Sequence, residues 1–438
     1  MSGLAELMHL KGMKVNGSDS KESLATKRLA SLGIPVTIGQ DADPIVKDDI
    51  VVFSSAIRSD HPSMTHARAL GCKVIHRSDL LAELMHEKIS IAVAGTHGKT
   101  TTSAMITHVL TALNLDPSAA IGGDMMPQLS PARAGKGPHF VAEADESDGS
   151  FLKYRPRVAV LTNVDTDHMD FFGSRDRLQE IFSEYLHNLD DDGVAVVGWD
   201  NPGSREVGSQ FEGRRLGFGF LLGCDVRAID YRLVDGHATF KAIVERDTVA
   251  VRLPMFGKHN AQNALCALAV ARALELDLKS AAESLATFQG VARRMSLMLN
   301  KPQLRLFDDF AHNPGKMAAC VLSLREAYPD WTIRIVWQPH RYSRLDTMYQ
   351  DTIAAFRNAD EVVVLPVYAA GEIPTKLYPV KDLALDISAA SSTSAVGMED
   401  FSEVTRYIRK SLSSKTVLLT MGAGSISELS HVLVRELG

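Results

Sequence analysis

A three-domain α/β protein built on wound, mostly parallel sheets is what this sequence predicts. Three observations carry the expectation. Short apolar runs alternate with helix-patterned stretches from the N-terminus onward, as parallel strands joined by helices require. One of those runs, "ISIAVAG", leads into "THGKTT", a Gly-rich turn followed by Lys and Thr. The alternation then restarts near Ser296 with a second set of apolar runs.

In the first domain, 1–88, "SGLAELMHLKG" reads as a helix ending at Gly12, "KVNGSD" as a strand and turn, and "IVVFSSA" and "CKVIHRS" as buried strands. This stretch is Rossmann-like. The second domain, 89–295, opens on "ISIAVAG", after which Met105, Ile106, Val109, Leu110 and Leu113 recur at helical spacing. "HFVAEAD" and "RVAVLTNVD" are further strands, both ending in carboxylates. Two extended arms around Asp235-Gly236 predict an antiparallel ribbon added to this P-loop-like sheet. "NAQNALCALAVARALEL" comes next as a helix. The third domain, 296–438, is again Rossmann-like: "LRLFDD", a helix from Pro314, "TIRIVWQ", a helix from Asp346, "EVVVLP", a late helix and "TVLLTMGAGSI". "SAASSTSA" at 388–395 reads as a loose loop.

Composition narrows the function classes. The 438 residues are 45% hydrophobic and 23% charged, with a net charge of −6. That length allows two to four domains at roughly 100–200 residues each. A basic footprint for nucleic acid is absent. No unbroken apolar stretch of about 18 residues marks a membrane span, and the N-terminus lacks the apolar core of a signal peptide. Cys72, Cys224, Cys266 and Cys320 form no C-x-x-C pair, so neither a disulfide framework nor a zinc site is indicated. A reducing cytoplasm fits.

The Gly-rich turn carries the chemistry. Backbone N–H groups of such a turn, backed by a helix N-terminus, bind phosphate oxygens. Lys99 is placed to reach the terminal phosphates and the Thr100 hydroxyl to ligate Mg²⁺. The turn is short, with Val93 where a longer loop has Gly and with His97 inside it. A hard cation needs oxygen ligands, and two clusters supply them: Glu143, Asp145, Glu146 and Asp148 after one strand, and Asp165, Asp167, His168 and Asp170 after the next. Most acidic loop residues are merely solvated or cap helices, and spacing does not choose among these.

Seven motifs in order, "AGTHGKTTTSAM", "VAEADESDGSF", "TNVDTDHMD", "GKHNAQNALCALAVA", "RRM", "DDFAHNP" and "QPHRYSR", resemble the Mur ligase family, the ATP-dependent amide ligases of peptidoglycan precursor synthesis. The resemblance runs from Met1 into "LLTMGAGSI" and is nearest to the branch that adds L-alanine to UDP-N-acetylmuramate. It implies ATP and Mg²⁺ as cofactors. Small-molecule substrates are its partners, without nucleic acid or membrane, and the state is monomer or weak homodimer. It implies that Gly95, Thr96, His97, Gly98, Lys99, Thr100 and Thr101 hold the ATP phosphates, and that Thr100, Glu143 and His168 ligate metal. His259, Asn260 and Asn263 match the adenine side, although two Asn at i, i+3 also suit a helix cap. Arg294 matches an arginine that reaches the phosphates, with Arg293 as the neighbouring register. Asp309 matches a ribose contact, next to Asp308. Lys99, Glu143, His168 and Arg294 are the implied catalytic set. His312, Arg341 and Arg344 match the amino-acid site, where a planar guanidinium suits a carboxylate. Asp19, Ser54 and Ser55 fall on the UDP-sugar side.

Two departures stand out. The family begins with a strand and a Gly-rich turn ahead of the segment at Met1, which predicts that roughly 10–20 N-terminal residues, about one strand plus a turn, are lacking here. Asn313 replaces a second His, keeping hydrogen bonds but losing a titratable ring. A related muramyl-peptide ligase, or a non-catalytic nucleotide-binding relative without its UDP-sugar site, are the alternatives.

Overall fold

The computed structural model describes residues 1–39, 45–165, 172–234, 236–374, 376–412 and 415–438. They form two compact units, one of 1–254 with 259–290 and one of 255–258 with 291–438.

The first unit begins with α1 (Ser2–Leu10), β1 (Gly17–Asp19), α2 (Leu24–Ser31), β2 (Val36–Ile38), β3 (Ile50–Phe53), α3 (Pro62–Ala69), β4 (Lys73–His76) and α4 (Arg77–His86). Among the described residues these four strands pair as two separate parallel couples, β1 with β2 and β3 with β4. Two of the helix starts have a clear local cause. Ser23 caps α2 through Thr26, and His76 caps α4 in a reciprocal box with Asp79. Arg28 of α2 pairs with Glu6 of α1 and, at 2.8 Å, with Asp124 of the large sheet, which ties this segment to the rest of the unit.

A ten-stranded sheet completes the unit. Its elements are β5 (Ile89–Ala94), α5 (Lys99–Ala112), β6 (Ser118–Met125), β7 (Ser130–Arg133), β8 (His139–Glu143), β9 (Val158–Leu161), α6 (Arg175–His187), β10 (Val194–Gly198), α7 (Pro202–Gln210), β11 (Arg215–Gly219), β12 (Val226–Val234), β13 (His237–Val244) and β14 (Asp247–Leu253), then α8 (Lys258–Ala273) and α9 (Leu278–Ser284). The strand order is β14-β13-β12-β11-β10-β9-β5-β8-β6-β7. β5 is central and buried after Ile89 because both its faces are covered. The Tyr185 hydroxyl of α6 donates to Ala92 O at 2.7 Å inside a core that includes Phe140, Phe151 and Phe182. The expected ribbon is present. β12 and β13 pair antiparallel up to Val234↔His237, with Gly236 at φ 76° in the turn. Asp235 lies outside the described residues.

The topology also explains where a ligand belongs. The helix after β5 leads toward β6, whereas the helix after the adjacent β9 leads toward β10. The carboxyl ends of β5 and β9 therefore meet at a switch point, where open wound sheets bind ligands.

The second unit holds β15 (Ser296–Lys301), β16 (Leu304–Asp309), α10 (Pro314–Ala327), β17 (Thr332–Trp337), α11 (Tyr342–Thr347), α12 (Tyr349–Ala354), β18 (Glu361–Val364), α13 (Val380–Ser391), β19 (Ser394–Gly397), α14 (Phe401–Ser411), β20 (Thr416–Met421) and α15 (Ile426–Leu437). The order is β15-β16-β20-β17-β18-β19, parallel except for β15. Two expectations are corrected. The loose loop at 388–395 is the end of α13 and the start of β19. Ala389 and Ala390 favour helix, Ser391 donates back to Ile387 O at 2.6 Å, and Ala395 pairs with Val362. The helix expected from Asp346 begins earlier, at Tyr342, and breaks into two at Met348. Among the described residues no helix is long and apolar enough to cross a membrane.

Candidate active site

The Gly-rich turn sits at the carboxyl end of β5 and is pinned to the neighbouring strand β9. Thr96 N donates to Asn163 O at 3.1 Å, and His97 N to Asn163 Oδ1 at 2.8 Å. His97 O accepts from Thr162 Oγ1 at 2.7 Å and from Asn163 Nδ2 at 3.0 Å. Asp165 N donates to Thr96 Oγ1 at 2.9 Å, and His97 Nε2 lies 3.6 Å from Asp165. Such close approach requires Gly95. Its φ is 123°, and a Cβ there would collide with Thr162 Oγ1. Gly98, at φ 81°, starts α5, and a Cβ on it would meet Asn263 Oδ1 at 2.8 Å.

Lys99 and Thr100 begin α5 and point at β8 and the turn after it. Lys99 Nζ donates to Gly95 O at 2.6 Å and to the Glu146 carboxylate at 2.8 Å. Glu146 is buried. Burial works against both charges. For Lys99 the Glu146 carboxylate outweighs it and holds the ammonium above its ordinary value, whereas burial of Glu146 wins and pushes that carboxyl up. Thr100 Oγ1 donates to Glu143 Oε1 at 3.0 Å, and Gly122 N of β6 donates to the other carboxylate oxygen at 2.6 Å. Thr100 and Glu143 thus present adjacent oxygen donors. This donor set fits Mg²⁺, which takes one or two carboxylates and completes its shell with phosphates and water. Among the described residues no three His, Cys, Asp or Glu side chains form a preassembled metal centre. His168, Asp167 and Asp170 lie outside the described residues.

The sugar-side residues divide. Ser55, just after β3, donates to Asp148 and lies 3.1 Å from His76 Nε2. Burial alone raises Asp148, but hydrogen bonds from Ser150 and Ser55 and the Arg77 charge bring its carboxyl down to about 2. Ser54 adjoins it at the end of β3. Asp19 ends the separate β1–β2 couple and is exposed.

Of the residues expected on the adenine side, Asn263 of α8 accepts from Thr102 Oγ1 at 3.1 Å and donates to Asn260 Oδ1 at 3.3 Å. Both amides are buried. Asn263 thereby meets the first turns of α5, so α8 braces the turn from behind. Thr101 is buried in the same helix, and burial pulls His259 down to about 4.

In the second unit the two arginines of "RRM" behave differently. Arg293 donates to Gly422 O at 2.6 Å and lies 3.6 Å from Asp308, so it is committed to the sheet end. Arg294 stands over the Phe310 ring at 5.4 Å and bears electrostatically on Asp309. Asp309 ends β16 and is held by Met295 N and Ala311 N, each at 2.7 Å. Asn313 caps α10 through Gly315 N at 3.0 Å, which accounts for an amide at that position.

His312, Arg341 and Arg344 come together around His340. Arg344 Nη1 lies 3.1 Å from His340 Nδ1, the His312 and His340 rings are 5.8 Å apart, and His340 stacks on Tyr368. Arg341 precedes α11 at φ 68° with its N–H on Tyr368 O at 2.9 Å. His340, Asn163 and Arg77 were not singled out from sequence, and Glu146 was not told apart from its acidic neighbours. His340 and Glu146 stand inside quoted motifs, whereas nothing local marks Arg77.

Burial, then the Arg344 charge, brings His312 down to about 3, and the same two causes bring His340 to about 4. The folded state then binds fewer protons than the unfolded chain between about pH 6.5 and 3, so these rings stabilise above that window and the contribution is lost as pH falls through it. A His312→Gln variant is expected to show a shallower acid-side loss of melting temperature than the parent between about pH 6.5 and 4. Superimposable profiles would exclude the ring as a cause.

Three family models cover the chain: "Mur ligase family, catalytic domain" at residues 1–89, "Mur ligase middle domain" at 93–271 and "Mur ligase, glutamate ligase domain" at 293–424. The UDP-N-acetylmuramate--L-alanine ligase of Carboxydothermus hydrogenoformans is 38% identical over 437 residues, 99% of this chain and 94% of that protein. The protein of the same name from Sorangium cellulosum is 37% identical over 434 residues, 98% of this chain and 92% of its own length. The crystal structure of the UDP-N-acetylmuramate-alanine ligase of Thermotoga maritima superposes with a TM-score of 0.86 at 29% identity, covering 100% of this chain and 96% of that one. A murein peptide ligase from Psychrobacter arcticus, at 22% identity and a TM-score of 0.72 with 100% and 96% coverage, shares the fold.

Proposed function

The chain belongs to the Mur ligase family, and from that premise we propose that it joins L-alanine to the lactyl carboxylate of UDP-N-acetylmuramate at the expense of ATP, a step of peptidoglycan precursor synthesis in the cytoplasm. The observation that carries the reading is the convergence of Lys99, Thr100 and Glu143 at the switch point of the central sheet.

A carboxylate and an amine do not condense in water, because the carboxylate is a poor electrophile. The lactyl carboxylate first attacks the γ-phosphorus of ATP and ADP leaves, giving an acyl phosphate. The alanine amine attacks the acyl carbon, phosphate departs, the amine gives up its proton and an amide remains. The Gly98 N–H, the open start of α5 and the Lys99 ammonium hold the phosphates, and Arg294 is the second cation of the proposed set. This catalysis is mostly positioning and electrostatics. Mg²⁺, when bound, neutralises charge on the transferring group, and Thr100 and Glu143 are the described residues that hold it. His168 belongs to the same proposed set. Arg341 and Arg344 grip the carboxylate of the incoming amino acid beside His312, while Ser54, Ser55 and Asp19 serve the UDP-sugar.

Phosphate release with ATP, Mg²⁺, UDP-N-acetylmuramate and single amino acids tests this. Release is expected only when both the UDP-sugar and L-alanine are present. Release that needs a muramyl peptide instead, or nucleotide binding without turnover, would overturn the reading.

A further inference from the structure

One guanidinium outside the motifs holds the turn that bears on Lys99. Arg77 opens α4, directly after β4, whose partner strand β3 leads into Ser54 and Ser55. Its Nη2 lies 3.2 Å from Asp145 and 3.7 Å from Asp148. Those two carboxylates flank Glu146, the buried partner of Lys99. Each aspartate also folds the turn on itself: Asp145 accepts from Ser147 N at 3.1 Å and Asp148 from Ser150 N at 3.0 Å, while Gly149 N returns to Glu146 O at 3.0 Å. Asp148 is reached from the β3 end as well, by Ser55. Lys153, beyond the turn, pairs with Asp79 of α4. Arg77, Ser55 and Asp79 of the sugar-side segment thus all hold the 145–153 stretch, the first two through the carboxylates beside Glu146.

We propose that Arg77 is a positioning residue for the ligation. It ties the segment that receives the UDP-sugar to the turn that sets Lys99, so that the lactyl carboxylate and the phosphoryl group meet in register. A guanidinium suits this because its rigid donor set is preorganised, with Nη2 facing both carboxylates, where a lysine would have to order a flexible stem. The proposal rests on the function proposed above.

The test compares Arg77→Ala and Arg77→Lys with the parent chain. Hydrogen exchange across 145–150 is expected to speed up in Arg77→Ala, with Arg77→Lys intermediate. In turnover, Arg77→Ala is expected to raise KM for UDP-N-acetylmuramate and to lower kcat, each about tenfold, as losing a partner that orients a functional residue does. KM for L-alanine should stay within about twofold, since its proposed residues belong to the other unit. Unchanged exchange in Arg77→Ala overturns the proposal, as does a fall in kcat with every KM unaltered, which is what fewer folded molecules would give. A parent chain inert with this substrate pair refutes the functional reading instead, and the exchange result then decides the role of Arg77 by itself.

Discussion

Lys99→Ala is expected to lower ATP-dependent phosphate release about 10³-fold, the upper end of what removing one preorganised charge donor costs. The lysine's surroundings make the prediction specific. Its ammonium is fixed by Gly95 O and Glu146 at the first turn of α5, beside the Thr100–Glu143 pair. His97, the other basic residue of the turn, faces Asp165 and does not replace it. The fold should survive. Glu146 loses its partner, but burial already pushes its carboxyl up, so it takes a proton rather than remain charged. A Lys99→Ala/Glu146→Gln double variant removes even that complication and should melt close to the parent. Phosphate release at the parental rate in Lys99→Ala would rule out the phosphate-loop role.

The second large effect concerns Arg341. Its backbone, at φ 68° and ψ 136°, lies in a region where only glycine is at ease. A non-glycine residue held there costs of order 1–3 kcal/mol, and such strain collects at functional sites. Arg341→Gly separates the two roles of the position. It is expected to keep or raise the melting temperature while kcat/KM for L-alanine falls about a hundredfold, the loss expected of a charge-assisted carboxylate contact. KM for ATP should hold steady. A variant that loses stability but keeps its preference for L-alanine would sink the amino-acid assignment.

These residues also mark how far the sequence could be read. The β5–turn–α5 unit was legible because its cause is local: an apolar run, two glycines at positive φ and the Lys-Thr pair lie close together in the chain. The antiparallel ribbon was legible for the same reason. Residues 388–395 were misread because Ser and Ala together suggest a linker, while the bonds that order them come from Ile387 and from the neighbouring strand β18. The strain at Arg341 was invisible because it depends on Tyr368, which accepts its N–H from a different connection. Arg77 was passed over because its partner Asp145 stands 68 residues away and only the wound sheet brings it near. Spacing also left the candidates of the two acidic clusters unsorted. The structure puts Glu143 against Thr100 and Glu146 against Lys99, a division that depends on which side of a turn each faces.

The ion pair between Lys99 and Glu146 has a consequence for selectivity. Any anion that draws the ammonium away leaves Glu146 buried without its cation, a loss the carboxyl meets by taking up a proton, at a cost to binding. A small anion such as orthophosphate, with fewer contacts, is expected to offset that loss less well. A nucleotide, in the function proposed above, brings further phosphates that the start of α5 can engage. The protein therefore carries an internal rival for its own lysine, one expected to favour polyphosphates over small anions.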